Sequence, residues 1–248
     1  MENILLPNHI TFEAGERSHE GVLIMEPCFH GYGTTIGNAL RRVLLSSLQG
    51  AAVTAVKMKG VNHEFQALEG VKEDVLEIIL NVKGLRLKSF SEEPILLHLK
   101  ASGKKEVTGK DIEANADVEI INTDHKIATL TDAKSELDME LVVSRGRGYS
   151  PTEERRTESQ VIGMIAIDAL FSPVRNVGYR VENTRVGEIT NYDRLVMTIE
   201  TDGTITAEEA VHQSAKILMD HFMLLMPRAE SLLSSAASNP FSIEESSS

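Results

Sequence analysis

Apolar residues along this chain recur at every second position in some stretches and with helical spacing in others, and the switches between the two patterns outline its elements. Near the N-terminus the runs 10–13 and 22–26 are strand-like, and Gly15 and Gly21 punctuate the turn region between them, which predicts a hairpin. The spacing then becomes helical. After Gly31-Tyr32-Gly33, with Thr34 or Thr35 as N-cap, Ile36, Leu40, Val43, Leu44 and Leu48 fall on one stripe, and Gly50 is expected to end the helix as its C′ residue.

From 51 to 172 short alternating runs dominate: 53–58, 85–90, 95–99, 118–121, 127–130 and 137–143. One helix interrupts them at 71–82, where Val71, Val75, Ile78, Ile79 and Val82 share a face and Gly84 lies just beyond. The polar, glycine-containing stretch 144–159 is expected to be a long exposed loop. Strands follow at 177–181 and 195–201, the second closed by an Asp202-Gly203 turn. Thr206 and Glu209 have the spacing of a capping box. Beyond them Val211, Ala215, Leu218, Phe222 and Leu225 recur at intervals of four, three, four and three, a short heptad seam. Pro227 is expected to end or kink that helix, and 234–248, rich in Ser and Glu, to be disordered. The order of elements predicts an α+β fold: a discontinuous domain, 1–50 with 173–233, made of a sheet and two helices, and a β-rich domain, 51–172, inserted into it.

Composition narrows the function classes. With 42% apolar residues the chain can bury sizeable cores, and its single cysteine, Cys28, excludes an internal disulfide framework. No run approaches the ~18 apolar residues of a membrane span, and no secretory leader pattern opens the sequence, so a cytoplasmic protein is expected. A net charge of −12 opposes binding to a polyanion, and the absence of Trp removes stacking platforms for single strands. Protein partners fit better than DNA.

The candidate chemistry is sparse. Gly31, Gly33 and Gly37 open a helix as phosphate loops do, but their spacing is G-x-G-x-x-x-G and no Walker lysine follows, so tight packing is the expected use. The eight histidines form no metal-ligand motif, and neither a metal nor a cofactor is expected. Arg41-Arg42 is the anomaly, two cations beside an apolar stripe. It fits a contact to a partner's carboxylates or carbonyls and, equally, a solvated helix edge with an intrachain ion pair. The 211–225 seam fits both a core and an interface. Arg145-Gly146-Arg147-Gly148 with Arg155-Arg156 concentrates positive charge, read as a protein contact or a solvated loop rather than a phosphate site. Two rival classes, an enzyme holding a phosphorylated ligand on these glycines and arginines and a nucleic-acid module, rest on nothing further.

The run Gly33-Thr34-Thr35-Ile36-Gly37-Asn38-Ala39-Leu40-Arg41-Arg42-Val43-Leu44-Leu45-Ser46-Ser47 closely resembles the signature helix of the bacterial RNA polymerase alpha-subunit family. Similar blocks follow in family order, among them 60–65, 69–77, 80–85, 145–149, 171–174 and 202–205, so the resemblance covers about 10–226. It implies a non-catalytic subunit that pairs with itself and scaffolds the beta and beta-prime subunits, and so meets DNA only through the assembled enzyme. By the resemblance, the sheet-and-two-helix domain is the dimerisation domain. Its helices bury Ile36, Leu40, Val43, Leu44, Leu48, Val211, Ala215, Leu218, Phe222 and Leu225 between copies. Arg42, Leu45 and Glu77 are implied in beta contact, and Lys83, Ile167 and Asp168 in beta-prime contact. His30 stands where members commonly carry arginine, and no residues here match the family's promoter-binding C-terminal domain, so upstream DNA recognition is not expected of them.

Overall fold

The computed structural model describes residues 4–155 and 163–226. The expectations about Arg156, Pro227 and the 234–248 tail lie outside the described residues. Strands β1 (His9–Ala14) and β2 (Glu20–Cys28) form the expected antiparallel hairpin, pairing from His9↔Glu26 to Ala14↔Gly21. Helix α1 (Tyr32–Ser46) follows. It starts earlier than predicted, because its N-cap is Gly31 in a left-handed conformation (φ 76°) rather than a threonine. The missing side-chain cap is supplied from far along the chain: Asp193 Oδ2 accepts from the Gly33 N–H at 3.0 Å. Helix α1 also ends before Gly50, which sits inside strand β3 (Gln49–Met58).

The inserted part is built from β3, helix α2 (Val75–Lys83), β4 (Leu87–Ser89), β5 (Ile95–Ser102), β6 (Glu106–Thr108), β7 (Val118–Ile120), β8 (Lys126–Thr129), β9 (Glu136–Arg147), β10 (Tyr149–Ser150), β11 (Ile165–Ala166) and β12 (Ala169–Leu170). One sheet runs β5-β9-β3-β4-β7, with β11 also on β3; β6 pairs β8, and β10 pairs β12. Helix α2 begins at Asp74, whose carboxylate accepts from Glu77 N–H at 2.7 Å, so Val71 falls outside it and bridges Leu130 instead. Of the predicted loop at 144–159 the described part, 144–155, is largely not loop, and 156–159 lie outside the described residues. Its first four residues continue β9 against β3, placing Gly146 opposite Gly50. A Cβ on Gly50 would lie 1.9 Å from the Phe171 carbonyl oxygen, and one on Gly146 would lie 2.6 Å from the Phe171 ring, so the two glycines admit Phe171 where side chains would exclude it.

The chain then returns to the first sheet through β13 (Val174–Val186) and β14 (Ile189–Thr201), giving the order β1-β2-β14-β13. Helix α3 (Ala207–Met223) opens on the predicted capping box: Thr206 Oγ1 accepts from Glu209 N–H at 3.1 Å, and Glu209 Oε2 accepts from Thr206 N–H at 3.0 Å. Two separate cores result. One joins Leu23, Leu40, Leu44, Val177, Met197 and Val211 between the four-stranded sheet and the helices α1 and α3; the other fills the inserted part from Val53 to Ile167. Cys28 is fully buried, and burial first, then the Asp193 carboxylate, push its thiol pKa up. No helix among the described residues is long and apolar enough to cross a membrane.

Candidate partner-binding surfaces

The N-terminal helical stripe is divided by the fold. Leu40, Leu44 and Leu48 are sealed in the chain's own core, while Ile36 and Val43 are half-buried. Close helix–sheet approach explains this: at Gly37 a Cβ would meet the Tyr179 ring at 2.8 Å and Leu195 at 2.9 Å. At the helix N-terminus the Gly33 N–H is already bonded to the Asp193 carboxylate, which stands where an anion would dock. The seam on α3 is divided the other way. Val211 is buried and Leu218 half-buried, but Ala215 is exposed, as are Phe222 (57%) and Leu225 (81%).

Four more apolar side chains, Met219, Met223, Leu224 and Met226, are exposed at the same end and were missed by the heptad reading. Their signal was present: 222–226, the end of α3 and the turn after it, is apolar at every position, and so long an apolar run belongs in a buried setting.

The arginine pair has split roles. Arg41 Nε donates to the Val177 carbonyl at 2.9 Å, capping a main-chain acceptor of β13, the last strand of its sheet. Arg42, next to it, is exposed and makes no ion pair among the described residues. Leu45 is half-buried against the helix–sheet core.

On the inserted part, α2 turns Leu76, Glu77, Leu80 and Lys83 outward. Lys83 Nζ lies 3.5 Å from Asp168 Oδ2, each side chain about a third exposed (33% and 34%). The Thr152 N–H donates to Asp168 Oδ1 at 3.0 Å, and this bond first, with Lys83 after it, holds that carboxyl below the ordinary aspartate range despite partial burial. Ile167 is interior, its N–H donating to the Thr54 carbonyl at 3.0 Å, so it seats this surface from beneath. A groove of about 300 Å³ runs between α2 and 165–168, walled by Leu76, Leu80 and Ile165.

The other arginines are largely spent within the chain. Arg145 bonds Glu92 at 2.6 Å and Gln49 at 3.0 Å, and Arg155 donates to the carbonyls of Thr54, Ser150 and Ile167. Among the described residues no three His, Cys, Asp or Glu side chains gather as a metal site would need.

Residues 56–172, most of the second core, match the family model described as the RNA polymerase Rpb3/RpoA insert domain. Over 226 residues the chain is 49% identical to a DNA-directed RNA polymerase subunit alpha of Oceanobacillus iheyensis, covering 91% of this chain and 72% of that relative. The chain belongs to the bacterial RNA polymerase alpha-subunit family. Subunits of the same name from Symbiobacterium thermophilum (50% over 224 residues, 90% and 71% covered) and Clostridium botulinum (50% over 214 residues, 86% and 68%) are similar to the same degree. For a member of the alpha-subunit family the role is that of a subunit in transcription, and the surfaces above are to be read as places where chains meet.

Proposed function

We propose that this alpha-family chain pairs with a second copy and that the pair is the platform on which the two large polymerase subunits assemble. The observation that carries the reading is the apolar end of α3. Two cores are sealed elsewhere in the molecule, yet Phe222 and Leu225 stand more than half exposed, as core-like side chains do when their partner is another molecule. The pairing surface comprises these residues with Ala215, Leu218 and the half-buried Ile36 and Val43. Leu40, Leu44, Leu48 and Val211 support it from within.

The dimer then offers Arg42, flanked by Leu45, and Glu77 to the beta subunit. The Lys83–Asp168 pair, seated on Ile167, serves the beta-prime subunit. A guanidinium on a rigid helix with no ion pair among the described residues suits a partner carboxylate. Light scattering of the intact chain at micromolar concentration should give twice 27.3 kDa, and Phe222→Asp should return it to the single mass. A wild-type chain that stays at 27.3 kDa would refute the pairing.

A further inference from the structure

Asp168, half of the ion pair proposed to face the beta-prime subunit, stands on a stretch with little regular structure of its own. Strands β11 and β12 are two residues each, and Ile167 and Asp168 lie between them, outside either. Burial still alternates there: Ile165, Ile167 and Ala169 are interior, which turns Asp168 outward. Alternation selects the side of the chain, but it does not aim a carboxylate.

The aim is set by Thr152–Arg155, a single turn of 3-10 helix. At its start the Thr152 N–H donates to Asp168 Oδ1 at 3.0 Å. At its end the Arg155 guanidinium takes hold of the main chain one residue earlier. Its Nη2 donates to the Ile167 carbonyl and, at 3.2 Å, to the Ser150 carbonyl, while Nη1 donates to the Thr54 carbonyl at 3.4 Å. That same Thr54 oxygen accepts the Ile167 N–H at 3.0 Å. One planar fork therefore ties β3, β10 and the corner at Ile167 together, and the two ends of one turn grip two successive residues. Arg155 is half-buried and these donors are aimed at the chain's own carbonyls, so it is not itself a docking cation.

We infer that Arg155 is a positioning residue for large-subunit capture: by clamping the Ile167 carbonyl it holds Asp168 where the carboxylate meets both Lys83 and the incoming subunit. The inference rests on the beta-prime reading of Lys83 and Asp168 above and adds the group that aims them.

The chemistry selects arginine. A guanidinium carries five donors in a rigid plane, whereas an ammonium is a compact point charge on a flexible stem. Lysine at this position keeps the charge and loses the fork that spans three carbonyls. Once the turn loosens, the Thr152 N–H withdraws from Asp168, and that bond is the first cause holding the carboxyl below the ordinary aspartate range, ahead of Lys83. The titration of Asp168 thus reports the clamp directly, which a loss of overall stability would not imitate in a folded chain.

The test uses the full chain labelled with 13C-aspartate, as wild type, Arg155→Lys, Arg155→Met and Asp168→Asn, the last also identifying the Asp168 signal. Each is followed by NMR titration of the Asp168 carboxyl and by co-purification with the beta-prime and beta subunits. Both Arg155 variants are expected to titrate Asp168 at higher pH than wild type. Their beta-prime capture should weaken about tenfold or more, toward that of Asp168→Asn, with beta capture unchanged, because misaiming one partner of a close charged contact forfeits much of its coupling. If Arg155→Met misfolds by circular dichroism, Arg155→Lys decides, and since it keeps the charge, its shift measures lost geometry alone. A folded Arg155→Lys chain whose Asp168 titrates as in wild type overturns the inference. So does wild-type beta-prime capture by the Arg155 variants while Asp168→Asn loses it, which leaves the docking pair standing. An Asp168→Asn chain that captures beta-prime normally removes the docking pair and the inference with it.

Discussion

Replacing Glu73 by glutamine keeps the shape of the side chain and removes its charge at a place where charge is organising the backbone. Glu73 is only 3% exposed, and its carboxylate accepts from Thr129 N–H at 2.6 Å, from the Thr129 hydroxyl at 2.9 Å and from Lys126 Nζ at 2.8 Å. Burial works against the charged form, but the Lys126 and Thr129 bonds outweigh it and hold the carboxyl below the ordinary glutamate range. Glutamine offers one acceptor oxygen and turns an NH2 toward a donor, so one buried donor loses its partner at a cost of ~1–3 kcal/mol. Lys126 is 42% exposed and rehydrates, adding less than ~1 kcal/mol. A loss of about 2 kcal/mol, or roughly 30-fold in local opening, follows.

The sign with pH is fixed by the lowered pKa. The stabilisation is complete above the unfolded value of ~4.3 and disappears as pH falls through the folded value. Hydrogen exchange of the segment around Thr129 should therefore show a wild-type advantage that is largest at pH 7 and shrinks toward pH 3–4. Equal loss of protection at both pH values, or a change under threefold at pH 7, would refute the reasoning. Because Glu73 directly precedes the Asp74 cap, α2 should loosen with it, weakening large-subunit capture through Glu77 and Lys83 while leaving the dimer intact.

Arg42→Ala should keep the dimer and weaken co-purification of the beta subunit by about 2–5 kcal/mol, the cost of stripping one partner from a desolvated charged contact; capture at wild-type levels would remove that assignment. Gly50→Ala should lower the thermal midpoint clearly, since overpacking against a main-chain carbonyl costs ~1–3 kcal/mol or more. Gly178→Ala, with nothing within 4 Å of the added carbon, is the neutral comparison in the same scan, and equal midpoints for the two variants would sink the explanation.

Where a structural cause is local, the sequence carried it. The Thr206–Glu209 box, the first hairpin and the alternation of β9 could all be read without coordinates, because each depends on residues a few positions apart. The start of α1 could not: its cap is Asp193, 160 positions away, and no local pattern announces a carboxylate delivered by another strand. The strand at 144–147 was hidden because Arg145-Gly146-Arg147 alternates a long cation with glycine, which mimics a flexible loop. Those glycines serve Phe171, again a distant partner. The helical stripes were found as stripes, but spacing alone does not say which half faces the chain's own sheet. Gly33 and Gly37 decided that by letting α1 sink onto β13 and β14.

The knot of contacts around Gly50 has a mechanical consequence. The chain leaves its first core at Gln49–Gly50 and comes back at Phe171–Pro173, and both crossings meet at Gly50, with the Pro173 ring 3.4 Å from where a Cβ would stand. A single tether would let the inserted body swivel; two abutting tethers, wedged by an aromatic ring and with Pro173 further pinned by Asp202 N–H at 2.9 Å, resist torsion and permit little bending. On the assembly proposed above, with Glu77 and Lys83 of α2 and Arg42 of α1 as docking points, the spacing between those points is fixed by this weld.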